Sequence, residues 1–111
     1  MLWDDDLLDR IRRLLADDVD EDRRLFDDDE IIEELEVAES KNHALYVLYI
    51  QKAGRIVNRE NSIKYIKGGS EELARLNAEE LSKLALKQAE YYKKLWEEEK
   101  EKKEDGSLFL Y

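Results

Sequence analysis

An uninterrupted stretch, residues 28–53, constrains the fold most strongly, because it contains neither glycine nor proline. Apolar residues recur through it at intervals of three or four, which is the spacing of one helix face. The members of this stripe are Ile31, Leu35, Ala38, Leu45, Tyr49 and Ala53. The pattern predicts one long helix, bent near residues 40–42, where the stripe skips a step. Residues 44–50 are apolar on nearly all faces, so we expect them to form the most buried part of the domain or an interface.

The start of this stretch carries a complete set of helix N-terminal signals. Asp27 is a suitable N-cap, and Glu30 stands at the spacing of a capping box. Phe26 and Ile31 have the spacing of a hydrophobic staple, which fixes the direction in which the chain enters the helix. The sequence therefore specifies a helix boundary at this point.

The remainder of the chain extends the helical prediction to the whole protein. It has 111 residues, no proline and four glycines, which favours one almost wholly helical domain. A first helix is predicted from Asp4 to about Asp17. The last long helix is predicted to begin at Asn77, where a second capping box and staple occur, and to end at Gly106. We predict an all-α fold, a small bundle of three to four main helices.

Two segments depart from the helical pattern. The sequence around residues 61–69 alternates partly and ends in two glycines, which predicts a short extended or hairpin arm. Its basic and aromatic residues favour a functional role, and a disordered loop is the alternative. Residues 106–111 predict an extended C-terminal tail that follows the helical domain, residues 1–105. Its apolar side chains are expected to fold back or to dock on a partner. The candidate functional residues are Ile63, Lys64, Tyr65, Ile66 and Lys67 in the arm, and Leu108, Phe109, Leu110 and Tyr111 in the tail.

Charge is distributed unevenly over a chain whose formal net charge is −10. Residues 1–39 carry 17 acidic and five basic residues, whereas residues 41–67 carry six basic residues and one acidic residue. Such regions can pair between neighbouring copies of a protein, or they can both be solvated faces. The candidates for pairing between subunits are Asp20, Asp22, Asp28, Lys52, Arg55 and Arg59.

No catalytic grouping is apparent in the sequence. The chain has no cysteine, one histidine (His43) and no glycine-rich phosphate loop, so we expect neither an enzyme nor a cofactor. Asp18, Asp20 and Asp22 match the first three ligand positions of an EF-hand loop, but Arg23 replaces its glycine, and the bidentate glutamate is missing. We therefore predict a solvated acidic loop without a metal. The negative net charge disfavours tight DNA binding, and no run is long enough to span a membrane, which predicts a soluble intracellular protein.

The order of these features resembles the head-tail connector, or head completion adaptor, proteins of tailed bacteriophages. The resemblance covers about residues 5–96. It rests on a first helix with a leucine-rich stripe, an aromatic residue before an acidic cap, the apolar helix, the loop near residues 64–69 and the last helix. The residues that carry it are Leu7, Ile11, Arg12, Leu14, Leu15 and Asp17, then Leu25, Phe26, Asp27, Asp28, Asp29, Glu30, Ile31, Leu35 and Ala38, and finally Leu81, Ala85 and Ala89.

This resemblance implies a non-enzymatic virion protein that forms a ring, usually of twelve copies, below the portal of a DNA-filled head. The ring would extend the DNA channel, without sequence-specific DNA binding, and would present a surface to a tail or stopper protein. Its location would be the head-tail interface of the virion, and the host cytoplasm during assembly. The arm would face the channel or the next component, and the apolar tail would dock on the portal protein.

The sequence departs from the connector pattern in its high charge and its lack of proline, and an alternative class stays open. An acidic helical interaction protein, either a DNA mimic or a de novo designed bundle, would have the same composition. A calcium-dependent regulator is a third class. The connector predicts assembly into a ring, whereas the alternatives predict a monomer or a dimer.

Overall fold

The computed structural model describes residues 1–18, 24–67 and 71–109; of these, the side chains of residues 59–67, 71–77 and 103–109 are not described. The described chain contains four helices: α1 (Asp5–Leu14), α2 (Asp28–Val37), α3 (Lys41–Lys67) and α4 (Glu71–Phe109). The all-α class predicted from composition is confirmed. Helices α3 and α4 make the most extensive contact, while α1 and α2 pack on the half of this pair that contains the start of α3.

The predicted caps of the first two helices are confirmed. The backbone of Asp4 is extended, and its Oδ1 accepts a hydrogen bond from the amide of Leu7 at 2.8 Å. Asp27 and Glu30 form the capping box, in which the amide of Asp27 donates to Glu30 Oε1 at 3.0 Å. Each cap satisfies amides that a helix start leaves without partners, and thereby fixes where the helix begins.

The prediction of a single helix over residues 28–53 is wrong, because the helical backbone is interrupted between α2 and α3. Ala38 has an extended backbone with φ −73° and ψ 148°, which ends α2. Ser40 then acts as a new N-cap, since its Oγ accepts a hydrogen bond from the amide of His43 at 3.3 Å. The position where the apolar stripe skips a step is thus a boundary between two helices. A helix can therefore end without glycine or proline when a serine caps the start of the next helix.

The predicted extended or hairpin arm is also wrong where the structure describes it. Residues 61–67 continue α3 as a helix, and residues 68–70 lie outside the described residues. The segment contains no glycine or proline before Gly68, and Ile56, Ile63 and Ile66 are also spaced as one helix face. A short alternating pattern does not distinguish a strand from a helix when the flanking chain is already helical.

Helix α4 is longer at both ends than its capping signals predict. It begins at Glu71 instead of Asn77, so the expected start lies inside the helix. At the other end it continues through Gly106, where the pattern predicts its end, to Phe109. Leu110 and Tyr111 lie outside the described residues. Capping signals therefore located helix starts correctly only where the preceding residues are non-helical.

The hydrophobic core lies where α1 and α2 cover the antiparallel pair of α3 and α4. Phe26, Ile31 and Leu35 are fully buried on the α2 side. They pack with the buried face of α3. Among the described side chains of that helix, the buried ones are Ala44, Leu45, Leu48, Tyr49 and Ala53. The burial predicted for residues 44–50 is therefore confirmed for one face, since Ile50 is 43% exposed.

Gly54 is predicted to weaken α3, because it lies inside the helix and not at a frayed end. It is exposed, and a Cβ atom added to it would meet no atom within 4 Å. Gly54→Ala is therefore expected to raise the free energy of unfolding by about 0.5–1 kcal/mol, since alanine loses less backbone entropy in a helix. Urea denaturation followed by circular dichroism would measure the change. Unchanged or lower stability would contradict a helical backbone at this position.

Candidate interaction surface

A buried ionic network joins α1 to the start of α2. Arg12 and Asp17 are 4% and 2% exposed. Arg12 Nη1 donates to Asp17 Oδ2 at 3.1 Å and to the carbonyl of Phe26 at 3.0 Å, and its Nη2 pairs with Asp28. The carboxylate of Asp17 also accepts from the amides of Leu25 at 2.8 Å and Phe26 at 3.1 Å. Because both buried charges are paired and hydrogen-bonded, the network has a structural role: it holds the end of α1 against the start of α2.

The end of α1 places Asp17 in this network. The amide of Ala16 donates to the carbonyl of Arg13 at 3.0 Å, and the amide of Asp17 donates to the carbonyl of Arg12 at 2.9 Å. These two bonds define a Schellman motif, which needs a left-handed residue, and Ala16 supplies it with φ 55°. The turn brings the Asp17 carboxylate back against the guanidinium group one turn earlier in the helix.

A second charged pair joins α2 to α3. Arg55 lies over the ring of Phe26, 4.4 Å from its centroid, and donates to the carbonyl of Leu25. Its Nη2 also pairs with Glu30. The hydrogen bond from Arg55, together with that from the Asp27 amide, lowers the pKa of the Glu30 carboxyl. The capping glutamate of α2 is therefore also the carboxylate that positions Arg55.

Polar groups next to this pair occupy the edge of the core. Lys52 donates from Nζ to the carbonyl of Leu15, and burial lowers the pKa of its amino group against the opposing effect of Asp17. The hydroxyl of Tyr49 donates to the carbonyl of Leu14, and burial raises the pKa of this phenol. Both carbonyls belong to the C-terminal end of α1, so these donors tie α3 to that end.

An aromatic stack joins the first turn of α3 to the C-terminal half of α4. The rings of His43 and Trp96 are parallel, with centroids 3.9 Å apart. Trp96 Nε1 donates to Glu39 at 3.0 Å, and Lys100 Nζ lies 3.8 Å from the Trp96 ring centroid on α4. His43 Nδ1 accepts from the amide of Glu39 at 3.0 Å. A single histidine without carboxylate or thiol residues at metal-ligand spacing predicts a helix-surface residue rather than a metal ligand or general base. His43 is half-buried, and its ring packs on Trp96.

Helix α4 carries two parallel rows of residues, each with alternating spacings of four and three. The first row faces α3: its alanines are buried, and Ser82 Oγ donates to the carbonyl of Ala53 at 3.0 Å. Small side chains let the two helices approach closely. The members of this inner row are Ala78, Ser82, Ala85, Ala89, Tyr92 and Trp96.

The second row, which we call the outer seam, lies along α4 beside the inner row. Leu81 is 47% exposed, while Leu84 and Tyr91 are each 55% exposed. Gln88 is exposed and Leu95 is half-buried. Leu81, Leu84 and Tyr91 thus lie on the surface and not against α3. Such a row on an otherwise charged surface is typical of a protein interface.

Grooves flank the outer seam on both sides. The larger groove, of about 520 Å³, separates it from the end of α1 and from α3. Its lining is mostly apolar, and it includes Leu14, Tyr49, Ile56 and Tyr92. A smaller groove of about 270 Å³ lies on the solvent side of Leu84. A ridge between two grooves is the surface relief against which a second helix packs.

The residues selected from the sequence are not gathered at this seam. Asp28 pairs with Arg12, Arg55 pairs with Glu30, and Lys52 binds a carbonyl, all within the chain. The pairing of these residues between subunits stays a prediction, as do the roles assigned to the others. The structure describes the backbone of residues 59–67 and 108–109 as helical, but not their side chains, including that of Arg59. Four further candidates lie outside the described residues: Asp20, Asp22, Leu110 and Tyr111.

The helical spacing in the sequence places one apolar face on the last helix, and this single-face interpretation missed the outer seam. The residues assigned to that face are Leu81, Leu84, Ala85, Gln88, Tyr92, Leu95 and Trp96. The distinguishing signal is that two heptad-spaced rows, offset by one residue, form an apolar arc wider than one neighbouring helix needs. In the described part of the chain, no cluster of three or more histidine, aspartate or glutamate side chains could hold a metal ion. Within the same residues, none of the helices combines the length and apolar character needed to cross a membrane.

Comparisons of the chain with protein-family models, with curated proteins and with solved structures found no match. The resemblance to head-tail connectors therefore rests on the order of features in this sequence.

Proposed function

We propose that this chain is a non-enzymatic assembly protein, and specifically a head-tail connector of a tailed bacteriophage. The observation that carries the assembly role is the exposed outer seam, because Leu81, Leu84 and Tyr91 lie on a surface that is otherwise rich in charge. An apolar strip of this kind gains stability only when another chain covers it.

The connector assignment adds the sequence resemblance to this physical argument. In this assignment, copies of the chain form a ring below the portal, extend the DNA channel, and present a surface to the tail or stopper protein. The all-α architecture agrees with the helical bundle expected for the class. The apolar residues at positions 108–111 would dock on the portal, and residues 63–67 would face the channel or the next component.

Copurification with the portal protein of the same phage tests this function. The full chain is expected to bind portal rings and to form a ring visible by electron microscopy. Removal of residues 108–111 is expected to abolish portal binding, because it removes four consecutive apolar side chains at the proposed contact. Native mass spectrometry of the mixture would count the copies bound.

The control for this truncation is Val37→Ser, which changes another exposed apolar residue, 73% exposed on α2. This variant is expected to bind the portal as the full chain does. Portal binding that survives the truncation would refute the docking role of the tail. A chain that binds no portal and forms no ring would favour the acidic interaction protein instead.

A further inference from the structure

The outer seam has the spacing of a coiled-coil interface. Leu81, Leu84, Gln88, Tyr91 and Leu95 follow one another at intervals of three, four, three and four residues, which is the a/d pattern of a heptad repeat. In this pattern Leu81, Gln88 and Leu95 are a positions, while Leu84 and Tyr91 are d positions. The inner row already packs on α3, so the seam offers a second, uncovered heptad face on the same helix.

We propose that the occupant of this seam is the α4 helix of a second copy, packed antiparallel about a two-fold axis. The charges that flank the seam support this choice. The g positions, which precede each a position, hold Glu80, Lys87 and Lys94, and all three are exposed. None of them has an ion-pair partner in the part of the chain that the structure describes. In an antiparallel pair of helices, g positions lie opposite g positions, so one sign of charge meets the other across the axis.

These charges also select the register. When Leu81 lies opposite Leu84 of the second copy, Glu80 of each copy faces Lys87 of the other. The symmetry repeats both contacts, which gives a central cluster of four leucines bordered by two ion pairs. This arrangement buries Leu81 and Leu84 of both copies together and pairs Glu80 of each copy with Lys87 of the other.

A shift of one heptad gives a poorer arrangement. Leu84 would then lie opposite Gln88 of the second copy, and Leu81 opposite Tyr91. Glu80 would face Lys94 of the second copy, but the two Lys87 residues would face each other across the axis. Loss of leucine pairing and repulsion between like charges both oppose this register. The grooves on either side of the seam provide space for the residues of the second helix, and Leu14 and Ile56 would border it on the α1 and α3 side.

An interface of this kind is isologous and closes on itself, so it produces a dimer and not a ring. It describes the free protein before any assembly on a partner, and it does not rest on the proposed connector function. A ring would need a second contact of the head-to-tail type.

The first experiment measures the dimer dissociation constant of the full chain by sedimentation equilibrium. We expect a species near twice the chain mass of 13.2 kDa. Leu81→Lys is expected to weaken the dimer by roughly tenfold or more, because it places a charge in the leucine cluster. Leu86→Lys is the matched control: Leu86 is also 47% exposed, but it lies on the opposite side of α4 from the seam. It is expected to leave dimerisation unchanged.

The second experiment tests the register by exchanging charges at exposed positions, where the fold is not at risk. Glu80→Lys and Lys87→Glu should each weaken the dimer, because each places like charges opposite one another. The double variant carrying both changes should recover the wild-type dissociation constant, since it restores both ion pairs with reversed sign. Circular dichroism would verify that each variant keeps its helix content.

Three results would overturn the proposal. The first is a wild-type chain that stays monomeric at the highest soluble concentration. The second is equal weakening by Leu81→Lys and Leu86→Lys. The third is a double charge variant that dimerises no better than the single variants. Portal binding by a chain that is monomeric alone would reject this dimer while leaving the connector function intact.

Discussion

Phe26→Ala is expected to lower the free energy of unfolding by about 3–5 kcal/mol. The ring is fully buried among α1, α2 and α3, so its removal leaves a cavity that the clamped backbone around it cannot collapse to fill. The substitution also removes the aromatic face that lies 4.4 Å from the Arg55 guanidinium. Urea denaturation followed by far-ultraviolet circular dichroism would give the change in stability.

A surface truncation provides the control for this variant. Val37→Ala removes methyl groups from a side chain that is 73% exposed, so it is expected to change stability by less than about 0.5 kcal/mol. Phe26→Leu refills part of the cavity and should fall between the two. If Phe26→Ala were as mild as Val37→Ala, the residue would not be part of the core.

The position of Phe26 could be predicted from the sequence, but its surroundings could not. The staple with Ile31 and the capping box of Asp27 and Glu30 are local signals, because all the partners lie within five residues. The contacts of Phe26 with Arg12, through its carbonyl, and with Arg55, through its ring, span much longer sequence distances. No local pattern encodes such contacts, since they depend on how the helices pack.

The errors at helix boundaries have a related cause. The alternating pattern of residues 61–67, taken in isolation, predicts an arm, whereas the helix formed by the preceding residues continues through them. Asn77 has the residues of a cap, yet the chain before it is helical, so its capping potential is not used. A cap signal marks a helix start only when the preceding backbone leaves the helix.

The prediction of functional residues from the sequence has the same limit, as the outer seam shows. Its residues were visible in the sequence as an apolar face of the last helix, but only packing reveals which apolar residues α3 covers. The fully covered residues of the inner row are its alanines, whereas Leu81 and Leu84 are left at the surface. Hydrophobicity alone would have ranked the leucines as core.

Arg12→Met is the second variant for which a large effect is expected, a loss of about 3–5 kcal/mol in the free energy of unfolding. The methionine would fill much of the same space, so the loss comes from electrostatics rather than from a cavity. Asp17 would stay buried with its negative charge uncompensated, and the carbonyl of Phe26 would lose its donor. Denaturation in urea would measure the loss, with Arg13→Met as the control, because Arg13 is exposed on the same helix.

A double-mutant cycle separates the charge from the other roles of Arg12. Asp17→Asn removes the negative charge while keeping one oxygen that can accept from the amides of Leu25 or Phe26. Combined with Arg12→Met, it leaves no unpaired buried ion in this pair, so the double variant should lose less stability than the sum of the two single variants, by about 1–3 kcal/mol. Strictly additive losses would show that Arg12 acts through packing and its bond to Phe26, and that the ion pair with Asp17 is not what makes the site sensitive.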